Sequence, residues 1–268
     1  TISRPVQRAV EAVAASTMTS GCILVLDTAT AAVRASVSVP CYDPENLADS
    51  LQAENSPFLN RALQSYAVGS VFKPVLAAAA LEAGLQPVFE CTGAVVVQLP
   101  APQELAQSGQ LANFSFGQGS LLATPMQVAA LFNTIAAGGV YRSPYVLQAT
   151  LDEATGQPVE TLSHPRGRRV IPAQSAALLR AMLVQVVQQG TAQDAAGLSG
   201  GAGGKTGTAQ TGQFTPEGAE RCNLWFAGFW PAEKPRYTIV VLQDGAIHTA
   251  YSGAAIFAQV CTALEAAG

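Results

Sequence analysis

The sequence is poor in charge. Of 268 residues only 12% are Asp, Glu, Lys or Arg, about half the ~25% usual for a soluble protein. Fourteen basic residues against 18 acidic ones leave a formal net charge of −4. No basic surface is offered to a polyanion, so no nucleic acid is expected as a partner. Histidine is nearly absent. His164 lies in a basic loop and His248 near a strand end, and both read as surface residues, which leaves a Ser-His-Asp triad little to stand on. Cys22, Cys41, Cys91, Cys222 and Cys261 show no CxxC spacing and no neighbouring histidine, so no metal site is expected. Their odd number leaves at least one thiol unpaired, which neither demands nor excludes an oxidising compartment. Long apolar runs are also missing, although 49% of the residues are hydrophobic. Leu121 to Tyr141 carries no charge over about one membrane span. It is divided by Pro125, Gln127, Asn133, Thr134 and the Gly138-Gly139 pair, and what remains is a helix of roughly a dozen residues suited to a buried core. Arg4, Arg8 and Glu11 interrupt the start, so it does not read as a signal peptide. Neither a P-loop nor a dinucleotide fingerprint is present, and no cofactor is implied.

What is present is a pattern of strands at both ends with helices between. The length suggests one large or two small domains and is ample for a sizeable core. Pro5 to Ala15 has helical spacing. Residues 21–27 (GCILVLD) and 33–39 (VRASVSV) are β-rich runs around a short turn, which predicts an antiparallel hairpin. Residues 40–69 form a long connection rich in Pro, Asn, Asp and Ser. Helices are predicted from Ser70 to Gly84, from Pro125 to Ala137 and from Pro172 to Gln189. After a glycine cluster from Gly200 to Gly204 come three β-type runs, Lys205–Thr211, Asn223–Trp230 and Arg236–Gln243, and Ile256 to Ala266 closes the chain as a helix. This order argues for an α/β or α+β sheet sandwiched by helices.

Two short motifs could carry chemistry. In the first, Ser70-Val71-Phe72-Lys73, positions i and i+3 share a helix face, so a lysine amine can reach a serine hydroxyl and serve as its base. Gly69 gives room for the turn, Pro74 is tolerated so near a helix start, and the N–H of Ser70 falls where an oxyanion could be bound. Alone, SxxK also describes an N-capping serine followed by a solvated lysine. The second is Lys205-Thr206-Gly207-Thr208-Ala209 ahead of a strand run. A strand glycine lets another backbone approach closely, which suits a peptide laid along the strand edge. Thr206 and Thr208 would offer hydroxyls to a substrate carboxylate, and Lys205 a positive charge beside it. Alone, this segment also reads as a glycine-rich hairpin.

SxxK followed by KTG on a late strand is the pair found in penicillin-binding proteins and β-lactamases. The surrounding residues go further. NRA at 60–62, YAVGSVFKPVLAAAALEAG at 66–84, GQGSLLATPMQ at 117–127, KTGTAQTG at 205–212 and NLWFAGFWPAEKPRY at 223–237 closely resemble the transpeptidase domain of class B penicillin-binding proteins. Together with Val6-Gln7 near the start, the resemblance covers nearly the whole chain, 1–268. It implies a β-lactamase/transpeptidase-like fold, a sheet of about five antiparallel strands flanked by helices, with a reduced helical subdomain. It implies a serine-type D,D-transpeptidase of peptidoglycan biosynthesis that forms an acyl-enzyme with D-Ala-D-Ala stem peptides and binds β-lactam antibiotics covalently.

Ser70 would then be the nucleophile and Lys73 its base, its ammonium losing a proton near neutrality through burial and a second cation at Lys205. The backbone N–H groups of Ser70 and Thr208 would form the oxyanion hole. Thr206, Gly207 and Thr208 would bind substrate. Partners would include other cell-wall synthesis proteins. The setting would be the extracytoplasmic face of a bacterial cell membrane, reached only through an N-terminal anchor which, like the family's pedestal domain, lies outside this chain and suggests an excised fragment.

One departure stands out. The family carries a Ser-x-Asn motif between SxxK and GQG, and no such triplet occurs anywhere here. Phe89-ECTG runs almost directly into Val97-QLP, skipping that region between about 93 and 97. Ser108 and Ser115 are the only serines in the interval between Lys73 and Gly117, and neither is a convincing replacement. Either a segment is absent from the sequence or the chain has lost part of its active-site wall. Two rivals follow: a β-lactamase or β-lactam sensor of the same fold, and a degenerate penicillin-binding scaffold. If the wall is lost, the cleft near Ser70 should be open on that side, with Phe89, Val95 to Leu99 and Leu105 short of apolar neighbours.

Overall fold

The computed structural model describes residues 1–83, 117, 121–164 and 166–267. Its centre is a five-stranded sheet of β1 (Gly21–Asp27), β2 (Val33–Val39), β9 (Gly203–Phe214), β10 (Glu220–Trp230) and β11 (Tyr237–Ala246), in the order β2-β1-β11-β10-β9. Every neighbouring pair is antiparallel. The flanking helices are α1 (Arg4–Thr17), α3 (Lys73–Glu82), α4 (Pro125–Ala136), α5 (Ala173–Gln189) and α6 (Gly253–Ala266). Six short strands lie outside the main sheet: β3 (Tyr66–Ala67) with β4 (Leu122–Ala123), β5 (Val140–Tyr141) with β8 (Arg168–Arg169), and β6 (Ala149–Leu151) with β7 (Pro158–Thr161).

The scarcity of charge follows from this layering. β1 and the first seven residues of β11 are buried on both faces, so neither strand can alternate polar and apolar residues. On one face Ile23, Val25, Ile239 and Val241 pack with Val6, Val10, Val13 and Ala14 of α1 and with Ile256, Phe257 and Val260 of α6. On the other face Cys22, Leu24, Val240 and Leu242 pack with Val71, Phe72, Phe132, Ile135 and Leu179. The four α1 residues recur at the spacing of one helical face. Nine of the twelve residues of α4 are buried, as expected of a core helix, and a capping box between Thr124 and Gln127 starts it. Inside the core, Asn133 of α4 donates to the Thr28 carbonyl at 3.3 Å and accepts from the Thr238 hydroxyl at 2.9 Å. No helix among the described residues is long and apolar enough to cross a membrane.

The two edges of the sheet are treated differently. Beside β2 the side-chain amide of Gln7 accepts from the Ser36 N–H at 2.8 Å and donates to the Ser36 carbonyl at 3.1 Å. It stands in for one residue of a pairing strand and blocks edge-to-edge association. At the other edge, β9 faces the turn that precedes α3.

The expected hairpin, the five-stranded sheet and the flanking helices are all present. Among the local differences from the sequence reading are two in the stretch that leads to α3. The helix expected from Ser70 begins as a 3₁₀ turn at Gly69–Phe72 and becomes α-helical at Lys73. The connection after β2 contains a short helix, α2 (Leu47–Gln52), none of whose residues is buried, so no apolar periodicity marked it. The SxxK helix expected in the reduced helical subdomain is α3, while Phe89, Val95 to Leu99 and Leu105, and with them the open-cleft expectation, lie outside the described residues.

Cys22 and Cys261 are fully buried. Burial pushes both thiols up, and the carboxylate of Asp244 adds to the effect at Cys22. An unfolded thiol ionises near its ordinary 9.0 while the folded one keeps its proton. The unfolded state is therefore favoured progressively as the pH rises above that value. Denaturant unfolding from pH 8 to 11 should show the Cys22→Val variant losing stability less steeply than the unsubstituted chain, the difference in slope growing above pH 9 toward a limit of about 1.4 kcal/mol per pH unit.

Candidate active site

The approach to Ser70 is held at several points before the serine is reached. Arg61 is buried, and its Nε contacts the Asp244 carboxylate of β11 at 3.3 Å, with side chains 5% and 25% exposed. Its two terminal nitrogens donate to the carbonyls of Asn55 at 2.9 Å and Ser56 at 3.3 Å. An ion pair supported by further hydrogen bonds in this way avoids the cost of an uncompensated charge. Tyr66 donates its hydroxyl to the same Asp244 carboxylate at 3.4 Å. Burial first, and then that carboxylate, push the Tyr66 phenol upward, so it stays a donor. One residue on, the indole N–H of Trp225 donates to the Ala67 carbonyl at 2.9 Å, and the Tyr66 and Trp225 rings meet edge to face at 6.3 Å.

The turn itself depends on glycine. Gly69 has φ +54° and donates to the Gly117 carbonyl at 2.8 Å. A Cβ at Gly69 would stand 2.6 Å from the Thr208 carbonyl oxygen of β9, and one at Gly117, with φ +73°, would run into the Gly69 carbonyl. From the opposite side, a Cβ at Gly207 would lie 3.0 Å from the Val71 nitrogen and 3.1 Å from the Val68 carbonyl oxygen. The residues on either side of Ser70 are thus in backbone contact with Gly207-Thr208. Because a 3₁₀ turn has three residues per turn, positions 70 and 73 eclipse, and the Lys73 N–H bonds back to the Ser70 carbonyl. Both side chains are half-buried. Pro74 falls in the first turn of α3, where its missing N–H costs little.

On β9, Lys205, Gly207 and Ala209 pair with Ala227, Trp225 and Asn223. Cross-strand partners share a face, and Trp225 and Ala227 belong to the core beneath the Ser70 turn. Lys205 therefore stands on the face that carries that turn. Its Nζ lies 3.0 Å from the Thr206 carbonyl and 3.4 Å from the Thr206 hydroxyl. The Thr206 hydroxyl is also 2.7 Å from that of Thr191. In an antiparallel ladder one residue's N–H and C=O point to the same side. The Thr208 carbonyl is turned to Gly69, so the Thr208 N–H is aimed toward the same turn.

The structure thus brings Ser70, Lys73, Lys205, Thr206, Gly207 and Thr208 into one neighbourhood. It corrects one detail, because the backbone admitted by Gly207 is the chain's own Val68–Val71 turn, where the sequence suggested a substrate. Ser108 and Ser115 lie outside the described residues. His248 is exposed. His164 is half-buried, its ring stacked on Tyr145, which differs from the surface position expected of it. Sequence reasoning missed Thr191, Asp244 and Trp225. Trp225 lay inside a quoted segment, but Asp244 and Thr191 carry no local signal, since each acts on a residue far away in the chain. No cluster of metal-ligating side chains occurs among the described residues.

A serine and a lysine thus share one turn, closed against the glycine-bearing edge strand of an antiparallel sheet that carries a second lysine. The chain belongs to the penicillin binding protein transpeptidase domain family, which it matches over 21–94 and 97–262. It is 28% identical over 335 residues to the peptidoglycan D,D-transpeptidase PbpA of Mycolicibacterium smegmatis, an alignment taking in 92% of this chain and 66% of the relative. It is 36% identical over 154 residues to penicillin-binding protein PbpB of the same organism, covering 53% of this chain and 23% of the relative. The fold is similar to that of penicillin-binding protein A from M. tuberculosis in an imipenem acyl-enzyme complex, with TM-score 0.80 and 22% identity over 98% of this chain and 78% of the other. It is also similar to the D,D-transpeptidase domain of a peptidoglycan glycosyltransferase from Eggerthella lenta, with TM-score 0.82 and 20% identity over 100% and 82%.

A Gly69→Ala substitution should disrupt the contact on which the site depends. The left-handed backbone and the approach to the Thr208 carbonyl together should cost at least about 2 kcal/mol, read as a fall in the denaturation midpoint, whereas Gly138→Ala, where an added Cβ meets nothing within 4 Å, should cost only the backbone term.

Proposed function

We propose that the chain is a serine D,D-transpeptidase that acylates itself on Ser70 with D-Ala-D-Ala stem peptides of peptidoglycan, and with β-lactams in the same way. The observation that carries this reading is the interlock of the Ser70 turn with Gly207-Thr208. It sets a serine, its lysine and a strand lysine around one short stretch of strand edge.

In the first step Ser70 Oγ attacks the carbonyl carbon of the penultimate D-Ala while Lys73 takes the hydroxyl proton. The N–H groups of Ser70 and Thr208 hold the oxyanion. The peptide C–N bond then breaks, and the departing D-Ala amine receives the proton held by Lys73. An acceptor amine next attacks the Ser70 ester, forming the new amide and returning a proton to Ser70 Oγ. Lys205 and the hydroxyls of Thr206 and Thr208 hold the substrate's terminal carboxylate.

The names of the relatives support this chemistry. Their length supports a wider assembly, in which this domain works at the extracytoplasmic face of a bacterial membrane through an anchor outside the chain, alongside other cell-wall synthesis proteins. The absence of a Ser-x-Asn motif favours a second reading, a weakly active penicillin-binding scaffold. The family match is interrupted between 94 and 97, where the sequence skips that region. Loss of that hydrogen-bonding partner should slow acylation by roughly 10²-fold relative to a complete site.

Incubation with a peptide ending in D-Ala-D-Ala and an amine acceptor should release free D-alanine, measured enzymatically, and Ser70→Ala should abolish the release. Equal release by that variant would rule out Ser70 as nucleophile. Lys205→Ala should slow penicillin acylation by about 10²-fold and leave the melting temperature nearly unchanged. A large fall in melting temperature with normal acylation would make the lysine structural.

A further inference from the structure

The Thr206 hydroxyl has one proton to give and two lone pairs to receive. The Lys205 ammonium can only donate, and it lies 3.4 Å from that oxygen. The Thr191 hydroxyl, 2.7 Å away, can either donate to it or accept from it. When an anion arrives at the site the choice is forced, because only a Thr206 proton turned to the anion contributes a hydrogen bond to it. We propose that Thr191 is a positioning residue for carboxylate recognition, donating its hydroxyl proton to Thr206 Oγ1 so that the Thr206 proton is directed at the ligand's terminal carboxylate. This rests on the reading that the site binds D-Ala-D-Ala peptides and penicillins through that carboxylate.

Thr191 is exposed, yet the turn that carries it is fixed. α5 ends at Gln189, and the Ala192 N–H reaches back to the Val186 carbonyl at 3.3 Å. Ala192 and Ala195 are both fully buried. Between them, the Asp194 carboxylate accepts a hydrogen bond from the hydroxyl of Ser252. Ser252 caps α6 by accepting from the Ala255 N–H at 3.1 Å. Thr191 thus projects from a clamp between α5 and α6, and its hydroxyl can hold the Thr206 rotor without being packed itself. In such a chain each hydrogen bond polarises the next, so a donor to Thr206 strengthens the bond that Thr206 gives.

The test compares second-order acylation rates with benzylpenicillin and with its methyl ester, for the unsubstituted chain, Thr191→Val and Thr191→Ser. Valine keeps the shape and removes the hydroxyl. With benzylpenicillin, Thr191→Val should lose about 3- to 10-fold, with the loss in the concentration dependence of the rate and not in the limiting rate. With the ester the two chains should agree within about twofold, and Thr191→Ser should restore the unsubstituted rate. Equal losses with acid and ester, or no loss with either, would overturn the proposal while leaving acylation itself intact. If the unsubstituted chain is not acylated at all, the functional reading fails and this inference with it.

Discussion

The structure turns on a contact that only glycine permits, the backbone approach of the turn around Ser70 to the outer strand β9. A Cβ at Gly69 would meet the Thr208 carbonyl, and one at Gly207 would meet the Val68–Val71 backbone. With both absent, two segments more than a hundred residues apart sit at main-chain distance. The placement of Ser70 relative to Lys205 is then set by covalent geometry more than by the rotamers of long side chains. Acyl transfer needs the reacting atom and its electrostatic supports held within fractions of an ångström, and backbone contact is a stiff way to achieve that.

Around this contact the fold supplies buffers against movement. The segment leading to Ser70 is tied to the sheet by the buried Arg61–Asp244 pair, by Tyr66 on the same carboxylate and by the Trp225 indole on Ala67. Each tie joins residues distant in sequence, and each is hydrogen-bonded on the buried side, where an unsatisfied group would be costly. The sheet they attach to is rigid for a different reason. Its central strands are buried on both faces, so helices cover both sides, and the edge turned to the Ser70 turn is β9.

Much of this was legible in the sequence, and the rest was not for identifiable reasons. Strands such as GCILVLD and the helix at 125–136 announce themselves through composition and punctuation, which are local. The SxxK and KTG motifs were visible as residues, but their meeting depended on Gly69 and Gly207 approaching each other's backbone, and a glycine in sequence does not say what comes close to it. The glycine of KTG offers room for another backbone, and the occupant is the chain's own turn. The 3₁₀ start at Gly69–Phe72 was read as α-helix because both periods place i and i+3 together. Asp244 and Thr191 went unnoticed since their partners, Arg61 and Thr206, are chosen by the fold. α2 was invisible because it buries nothing.

Ser70, proposed as the nucleophile, sits on a turn whose position is fixed by the strand beside it. The most direct test is the intact mass of the chain after exposure to benzylpenicillin, followed by peptide mapping. The account predicts a gain of one penicillin per chain, located on the peptide that contains Ser70. An unchanged mass, or an adduct on any other serine, would contradict it.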